Sequence, residues 1–176
     1  MLPDVTIMLS VRKFSYILLV AVVCVSSCTN IECPLNNVVQ MGCGLYDTDG
    51  ATFELSDTLS VRAPGAQAAL LNGASGISSF AVQLSYDAGV DTLLLFFADR
   101  EHRYGTDTLF VTHDSAPHFE SVDCPMVFFY RITDTRISHD ENSTYPYRVS
   151  GVELTEPSVN YDEIENLKVY ISPVSD

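Results

Sequence analysis

The chain has 176 residues, 47% of them apolar, which is enough for one domain with a hydrophobic core. It carries 23 acidic residues against 9 lysines and arginines, a formal net charge of −14. This charge argues against nucleic acid as a partner, because binding to a phosphate backbone needs clustered Lys and Arg, and against electrostatic attachment to anionic lipid head groups.

The first predicted element is a signal peptide. Arg12 and Lys13 precede an apolar run over residues 14–23, and Val25-Ser26-Ser27-Cys28 follows it. A charged segment, a short apolar segment and a small-residue cleavage site in this order are typical of secretion. The apolar run reaches about 12 residues even when extended to residue 25, whereas about 20 are needed to cross a bilayer as a helix, so a retained transmembrane anchor is the weaker interpretation.

Residues 25–28 also resemble a lipobox, in which a peptidase cuts just before a cysteine that receives acyl chains such as palmitate. Lipidation of Cys28 would divide the chain into a signal peptide (1–27), a short tether (28–36) and a single folded domain (37–176). Several acyl chains hold a protein at a membrane far more strongly than one, since each buried methylene contributes about 0.8 kcal/mol. Two alternatives stay open: secretion with Cys28 as a plain thiol, and a short buried apolar segment. Translation from Met1 or from Met8 leaves these expectations unchanged.

Processing would leave Cys33, Cys43 and Cys124 in an oxidising compartment, where they can form one intramolecular disulfide bond. Residues 39–45 alternate between apolar and other side chains in a way that places Cys43 on the apolar face, so we predict a buried thiol there. By elimination we pair Cys33 with Cys124. This bond would close a loop of about 90 residues and stabilise the fold by about 4 kcal/mol in the chain-entropy model.

Short strand-like segments recur along the rest of the chain and predict an all-β fold, an antiparallel β-sandwich of about seven to nine strands. Apolar and polar residues alternate clearly over 80–86 and 167–172, which indicates half-buried strands. Residues 93–97 are apolar on both faces and should lie in the middle of a sheet. The predicted strands are residues 38–46, 52–55, 59–63, 79–86, 92–98, 108–113, 126–133, 147–154 and 167–172.

Turn-forming residues separate these strands. Asp49-Gly50 is a hairpin signal, and further turns are predicted at residues 86–89 and 104–107. Residues 66–72, followed by Gly73, are a candidate for a short helix. Residues 134–146 are polar and predict an exposed connection between strands.

Five short segments spread over the predicted mature chain carry a family resemblance. They are residues 32–37 (Glu-Cys-Pro-Leu-Asn-Asn), 107–109 leading to 123–125 (Asp-Cys-Pro), 156–160 (Glu-Pro-Ser-Val-Asn) and 165–171 (Glu-Asn-Leu-Lys-Val-Tyr-Ile). Together they resemble a family of uncharacterised lipoproteins of Bacteroidota that is classified only as a domain of unknown function. The resemblance implies a lipoprotein and supplies no activity. Pro125 departs from the family, in which glycine or a similar residue usually follows the late cysteine.

The tripeptide Asp-Thr-Leu occurs three times, at residues 57–59, 91–93 and 107–109. The structural interpretation is that each aspartate closes a turn and Thr-Leu begins the next strand. The alternative is that these tripeptides, with Asp114-Ser115-Ala116, resemble the acceptor pattern for protein O-glycosylation in periplasmic proteins of that bacterial group. The candidate acceptors are Thr58, Thr92, Thr108 and Ser115.

The sequence contains no established catalytic or metal-binding signature. His113 and His118 lie among acidic residues at 114–123, but their spacing matches no established zinc motif. Residues 47–50 (Asp-Thr-Asp-Gly) resemble the start of a calcium loop that lacks its distal glutamate. We therefore predict no catalytic residue, no metal and no other cofactor.

These observations lead us to expect a binding or structural module without catalysis, anchored in the bacterial envelope through acyl chains on Cys28. The outer membrane is the expected location, with the domain on its periplasmic or surface side and an envelope protein or a glycan as partner. An accessory factor in envelope biogenesis or transport is the alternative and should show an exposed apolar groove or an open sheet edge. A hydrolase that uses acidic residues is the third hypothesis and should show an acidic cleft, whereas a broad aromatic patch would favour binding.

Overall fold

The computed structural model describes Cys33 and residues 38–174. In this part of the chain there are ten strands and no helix. All ten belong to one compact unit, Pro34–Asp176. The strands are β1 (Met41–Tyr46), β2 (Thr58–Arg62), β3 (Leu71–Ala74), β4 (Ser79–Val82), β5 (Val90–Ala98), β6 (Tyr104–His118), β7 (Val127–His139), β8 (Tyr147–Leu154), β9 (Ser158–Val159) and β10 (Glu165–Pro173).

The strands form two sheets that share one core. The four-stranded sheet has the order β4-β1-β10-β8 and the six-stranded sheet the order β3-β2-β5-β6-β7-β9. Neighbouring strands are antiparallel except β1 and β10, which run parallel. The predicted all-β sandwich is confirmed, and the short strands β3 and β9 bring the count above the number expected.

Alternate residues of the two sheets point inward and build the core. Cys43 is 1% exposed, as the alternation of residues 39–45 predicts. The inward residues of β1 and β10 are Met41, Cys43, Leu45, Leu167, Val169 and Ile171, and those facing them from β2, β5 and β6 are Leu59, Val61, Leu93, Leu95, Phe97, Leu109 and Val111.

Two predicted local structures are wrong because strand pairing overrides local turn and helix preferences. Residues 71–74 form β3 and not the end of a helix: Leu71 pairs with Val61 of β2, and Gly73 takes a positive φ of 60°. Residues 104–107 begin β6 and do not form a turn. The chain turns a few residues earlier, where the Asp99 carboxylate accepts hydrogen bonds from the backbone N–H of Glu101 and of Arg103, at 2.8 and 3.0 Å.

The long strands β6 and β7 also extend into segments that looked like connections. Their ladder continues to His139 opposite Asp107, with one irregularity beside Thr112, so the exposed connection shrinks to residues 140–146. Residues 52–55 contribute two isolated bridges, at Thr52 and Leu55, instead of a strand.

One end of the sandwich is called the N-terminal end. It is the end at which β1 and β10 begin and β4 finishes, since Met41 pairs with Val82 and Gly42 with Glu165. The Tyr130 hydroxyl donates a hydrogen bond to the Leu84 carbonyl, at 3.0 Å, just beyond β4. The start of β7 and the finish of β6 therefore lie at the same end.

Candidate functional site

The outward side of the six-stranded sheet carries a group of rings that does not belong to the core. The Phe96 ring of β5 stacks on the Tyr104 ring of β6, with centroids 5.8 Å apart and planes 19° from parallel. Further along, the guanidinium of Arg136 in β7 lies 4.0 Å from the centroid of the Phe110 ring. In the ladder of β5 and β6, Leu94 lies between the level of Phe96 and the level of Phe110. We call these five residues the aromatic face.

A hydroxyl accompanies each apolar side chain of this face on β5 and β6. The ladder pairs Thr92 with Phe110, Leu94 with Thr108, and Phe96 with Thr106. Cross-strand pairs of a ring and a β-branched residue stabilise a sheet by about 0.2–1 kcal/mol, which accounts for part of the pattern. The same pattern also places the exposed Tyr104 and the half-buried Phe96 and Phe110 next to hydrogen-bonding groups, a composition that suits amphipathic partners.

Arginine side chains accompany the rings on this side of an acidic protein. Of the six arginines in residues 38–174, three take outward positions on the six-stranded sheet, namely Arg62, Arg131 and Arg136. Arg62 pairs with Leu94 across β2 and β5. Arg136 pairs with Phe110 across β7 and β6, so arginines lie on both sides of the apolar residues of β5 and β6. The face thus combines rings, hydroxyls and guanidinium donors.

The structure brings three of the four candidate glycosylation acceptors to the same side of this sheet. Thr58 is exposed at the start of β2, where its hydroxyl donates to the Ala98 carbonyl at 2.9 Å. Thr92 and Thr108 are half-buried in the interior of β5 and β6. Ser115 lies near the N-terminal end and donates to the Tyr86 carbonyl at 3.0 Å. Their modification stays a prediction, with Thr58 the most accessible acceptor.

The aspartates of the Asp-Thr-Leu tripeptides point away from the threonines and accept hydrogen bonds from distant residues. Asp57 accepts one from the Tyr145 hydroxyl at 3.0 Å. Asp91 Oδ2 lies 2.9 Å from Nε2 of the buried His113. Asp107, in the interior of β6, contacts His139 and the backbone of β8. The repeat is therefore a structural device that ties segments together, and only Asp57 directly precedes the strand it introduces.

A groove of about 420 Å³ opens on the outward side of the four-stranded sheet. Its floor is the backbone of β1 at Gly42 and Gly44, and Glu163 and Glu165 stand at its wall. The Tyr46 hydroxyl donates to the Glu165 carboxylate at 2.9 Å, so this carboxylate already has a partner. The groove is the acidic feature closest to what the hydrolase hypothesis requires.

The candidate metal ligands are not brought together. His113 is buried against Asp91, whereas Nε2 of His118 lies 2.9 Å from Glu120. The Asp47 carboxylate accepts the backbone N–H of Asp49 and Ala51, as in an ordinary turn. Within the described residues no group of three or more His, Cys, Asp or Glu side chains could hold a metal ion.

Both cysteines of the predicted bridge, Cys33 and Cys124, are disulfide-bonded, and Cys43 is a free, buried thiol. The predicted signal peptide and the predicted lipidation site Cys28 lie outside the described residues. In the part of the chain that the structure covers, no helix has the length and hydrophobicity needed to span a membrane.

Sequence reasoning missed the rings of the aromatic face. It interpreted residues 93–97 as apolar on both sides and therefore central, without deciding what would cover the outward side. The alternation of threonines with Phe110 over residues 106–112 was the available signal. It marks one side of β6 as facing away from the core.

Comparison with known proteins yields one result. The model of a family of unknown function, DUF6452, matches residues 58–171, which run from the start of β2 into β10 and include the whole aromatic face. The comparison with curated proteins found no match, and neither did the comparison with solved structures. Because the match covers more than half of the 176 residues, the chain belongs to the DUF6452 family of unknown function.

Proposed function

We propose that the protein is a lipid-anchored binding module of the bacterial envelope, without a catalytic step, and that its aromatic face holds a glycan or an envelope protein. The observation that carries the proposal is the pairing of solvent-facing rings with threonine hydroxyls on β5 and β6. Such a surface can stack on the apolar side of a sugar ring or of a partner side chain while the hydroxyls and Arg136 hydrogen-bond to its polar groups.

The position of these rings on strands, and not on loops, suits a binding surface. Phe96 and Phe110 belong to the two central strands of the sheet, whose inward neighbours Phe97 and Leu109 are buried. A ring whose backbone is held by two ladders loses little conformational entropy when it binds, which favours affinity. The geometry therefore favours the face of the sheet as the binding surface.

The anchor part of the proposal is supported by the sequence. The order of charged, apolar and small residues before Cys28 fits a lipoprotein signal, and the resemblance to lipoproteins of Bacteroidota agrees with it. Acyl chains on Cys28 would hold the domain at a membrane, which we expect to be the outer membrane, on its periplasmic or surface side. Tethering raises the concentration of the aromatic face near envelope partners.

Binding is tested with the purified native protein immobilised and exposed to solubilised envelope glycans and proteins, with the retained species identified by mass spectrometry. Phe96→Ala and Phe110→Ala should each weaken retention of the partner about tenfold, since an anchoring ring contributes about 1.4 kcal/mol or more. Tyr170→Ala is the matched control, because Tyr170 lies on the outward side of the four-stranded sheet, where its hydroxyl donates a hydrogen bond to Glu153. Equal loss in all three variants, or no loss in any, contradicts the proposal.

The anchor is tested by intact mass and fractionation of the protein from its native cells. We expect a chain that starts at Cys28 with added acyl mass, found with membranes, and loss of both properties in Cys28→Ala. A soluble, unacylated native product would refute the anchor. The same spectra report glycans on Thr58, Thr92, Thr108 or Ser115, and a glycan on Thr92 or Thr108 would cover the aromatic face and contradict its role in binding.

A further inference from the structure

Exposed apolar side chains are gathered at the N-terminal end of the sandwich. Ten large apolar side chains in the described residues are exposed, and six of them lie on the connecting segments at this end. Val122 is fully exposed and Phe119 is 63% exposed. The six are Val38 before β1, Tyr86 between β4 and β5, Phe119, Val122 and Met126 between β6 and β7, and Ile164 before β10. Exposed apolar side chains gathered at one end of a domain favour a contact with another molecule or a membrane.

The loop that carries three of these side chains is held in place at its base and within its tip. The His118 ring stacks on Phe129 with centroids 4.0 Å apart. Near the tip, the Cys124 backbone N–H donates to the Ser121 carbonyl at 3.3 Å, and the Ser121 hydroxyl lies 3.4 Å from the Cys124 sulfur. Val122 lies within this hydrogen-bonded turn between Ser121 and Cys124, so its side chain is exposed while the loop is folded.

The predicted anchor lies close to this end along the chain. Val38 is one of the six exposed residues, and Cys28 precedes it by ten positions, which span at most about 35 Å when fully extended. Cys124 sits in the exposed loop and is disulfide-bonded, as is Cys33. A bond between these two cysteines, as predicted, would place the loop within five residues of the acylated position.

We propose that the N-terminal end rests on the surface of a zwitterionic bilayer, with Phe119, Val122 and Met126 inserted into its interface. The inference rests on the proposed anchor. Apolar side chains gain free energy at the boundary between head groups and acyl chains, and the anchor supplies the proximity. Glu120 and Asp123 are their neighbours in the sequence, so the contact suits a neutral surface and opposes an anionic one.

The chain contains no tryptophan, so one introduced tryptophan reports on its own surroundings. Val122→Trp places the probe at the loop tip, and Val174→Trp places a matched probe beyond the end of β10, at the opposite end of the sandwich. The acylated full-length variants are bound to phosphatidylcholine vesicles, separated by flotation, and measured with and without brominated phosphatidylcholine. We expect a blue shift and strong quenching for the tryptophan at position 122, and neither for the one at position 174.

The outcomes separate the contact from the anchor. If both variants float but the emission at position 122 stays unshifted and unquenched, the contact is refuted while the anchor stands. If neither variant floats, the anchor is refuted and the contact with it. Replacing part of the phosphatidylcholine by phosphatidylglycerol at low salt should reduce quenching at position 122, and an increase would overturn the assignment to a neutral surface.

Discussion

Asp107 offers the sharpest test of how the two sheets are held together. It is 5% exposed in the interior of β6, where its Oδ2 accepts the backbone N–H of Val149 in β8 at 2.6 Å and its Oδ1 lies 2.8 Å from Nδ1 of His139. Asp107→Ala leaves the buried N–H of Val149 without an acceptor, at a cost of about 1–3 kcal/mol. Loss of the contact with His139, whose ring is 37% exposed, adds a smaller amount.

We therefore expect Asp107→Ala to lower the free energy of unfolding by about 3 kcal/mol, which corresponds to about 10 °C in Tm for a domain of this size. Asp107→Asn keeps an oxygen for the Val149 N–H and should cost about 1 kcal/mol. Thermal and urea unfolding followed by circular dichroism measure both. Asp134→Ala, an exposed aspartate on neighbouring β7, is the control and should change stability by less than about 0.5 kcal/mol. A loss at Asp107 no greater than at Asp134 would refute the reasoning.

Three further predictions follow from single contacts. Burial raises the pKa of the Cys43 thiol, so iodoacetamide should leave it unmodified in the folded protein and alkylate it in denaturant, as peptide mapping would show. A Cβ at Gly42 would lie 2.9 Å from the Ile164 carbonyl oxygen, so Gly42→Ala should lower the free energy of unfolding by about 1–3 kcal/mol. A Cβ at Gly151 would have nothing within 4 Å, so Gly151→Ala should change the free energy of unfolding by less than about 1 kcal/mol. Desolvation acts to raise the pKa of Asp99, but hydrogen bonds from a guanidinium and two backbone N–H groups outweigh it and hold this pKa below its ordinary value. Its stabilising effect is present above the ordinary aspartate pKa and is lost as the pH falls through the folded pKa, so the difference in unfolding between the native chain and Asp99→Asn should shrink in acid.

The predictable part of the fold is the part in which one face is buried. The strand at residues 147–154 was placed residue for residue, and the burial of Cys43 followed from simple alternation. The wrong predictions concern residues whose local structure depends on a pairing partner distant in the sequence. Residues 104–107 look like a turn, but Asp107 fits a strand because its partners lie 32 and 42 residues further on. Gly73 lies in a strand because its neighbours Leu71 and Ala74 pair with residues of β2.

The aromatic face shows a different limit of sequence reasoning. Apolar residues on both sides of β5 are consistent with a strand covered by two layers and with a strand whose outer side binds a partner. Pairing with threonines on β6 favours the second interpretation, and it appears only when the register of Phe96 with Thr106 and of Thr92 with Phe110 is known. Local sequence cannot supply that register, since it depends on the position of the turn at residues 99–103.

The two proposals together set the height of the binding surface above the membrane. β6 finishes at the N-terminal end with His118 and starts at the opposite end with Tyr104. At about 3.4 Å per residue, Phe110 lies about 27 Å and Tyr104 about 48 Å from His118 along this strand. With the N-terminal end on the bilayer and β6 upright, the aromatic face would stand about 27–48 Å above it, beyond the Debye length of about 8 Å at physiological salt. A partner at that height would be recognised by the face itself, with little influence from the charge of the membrane.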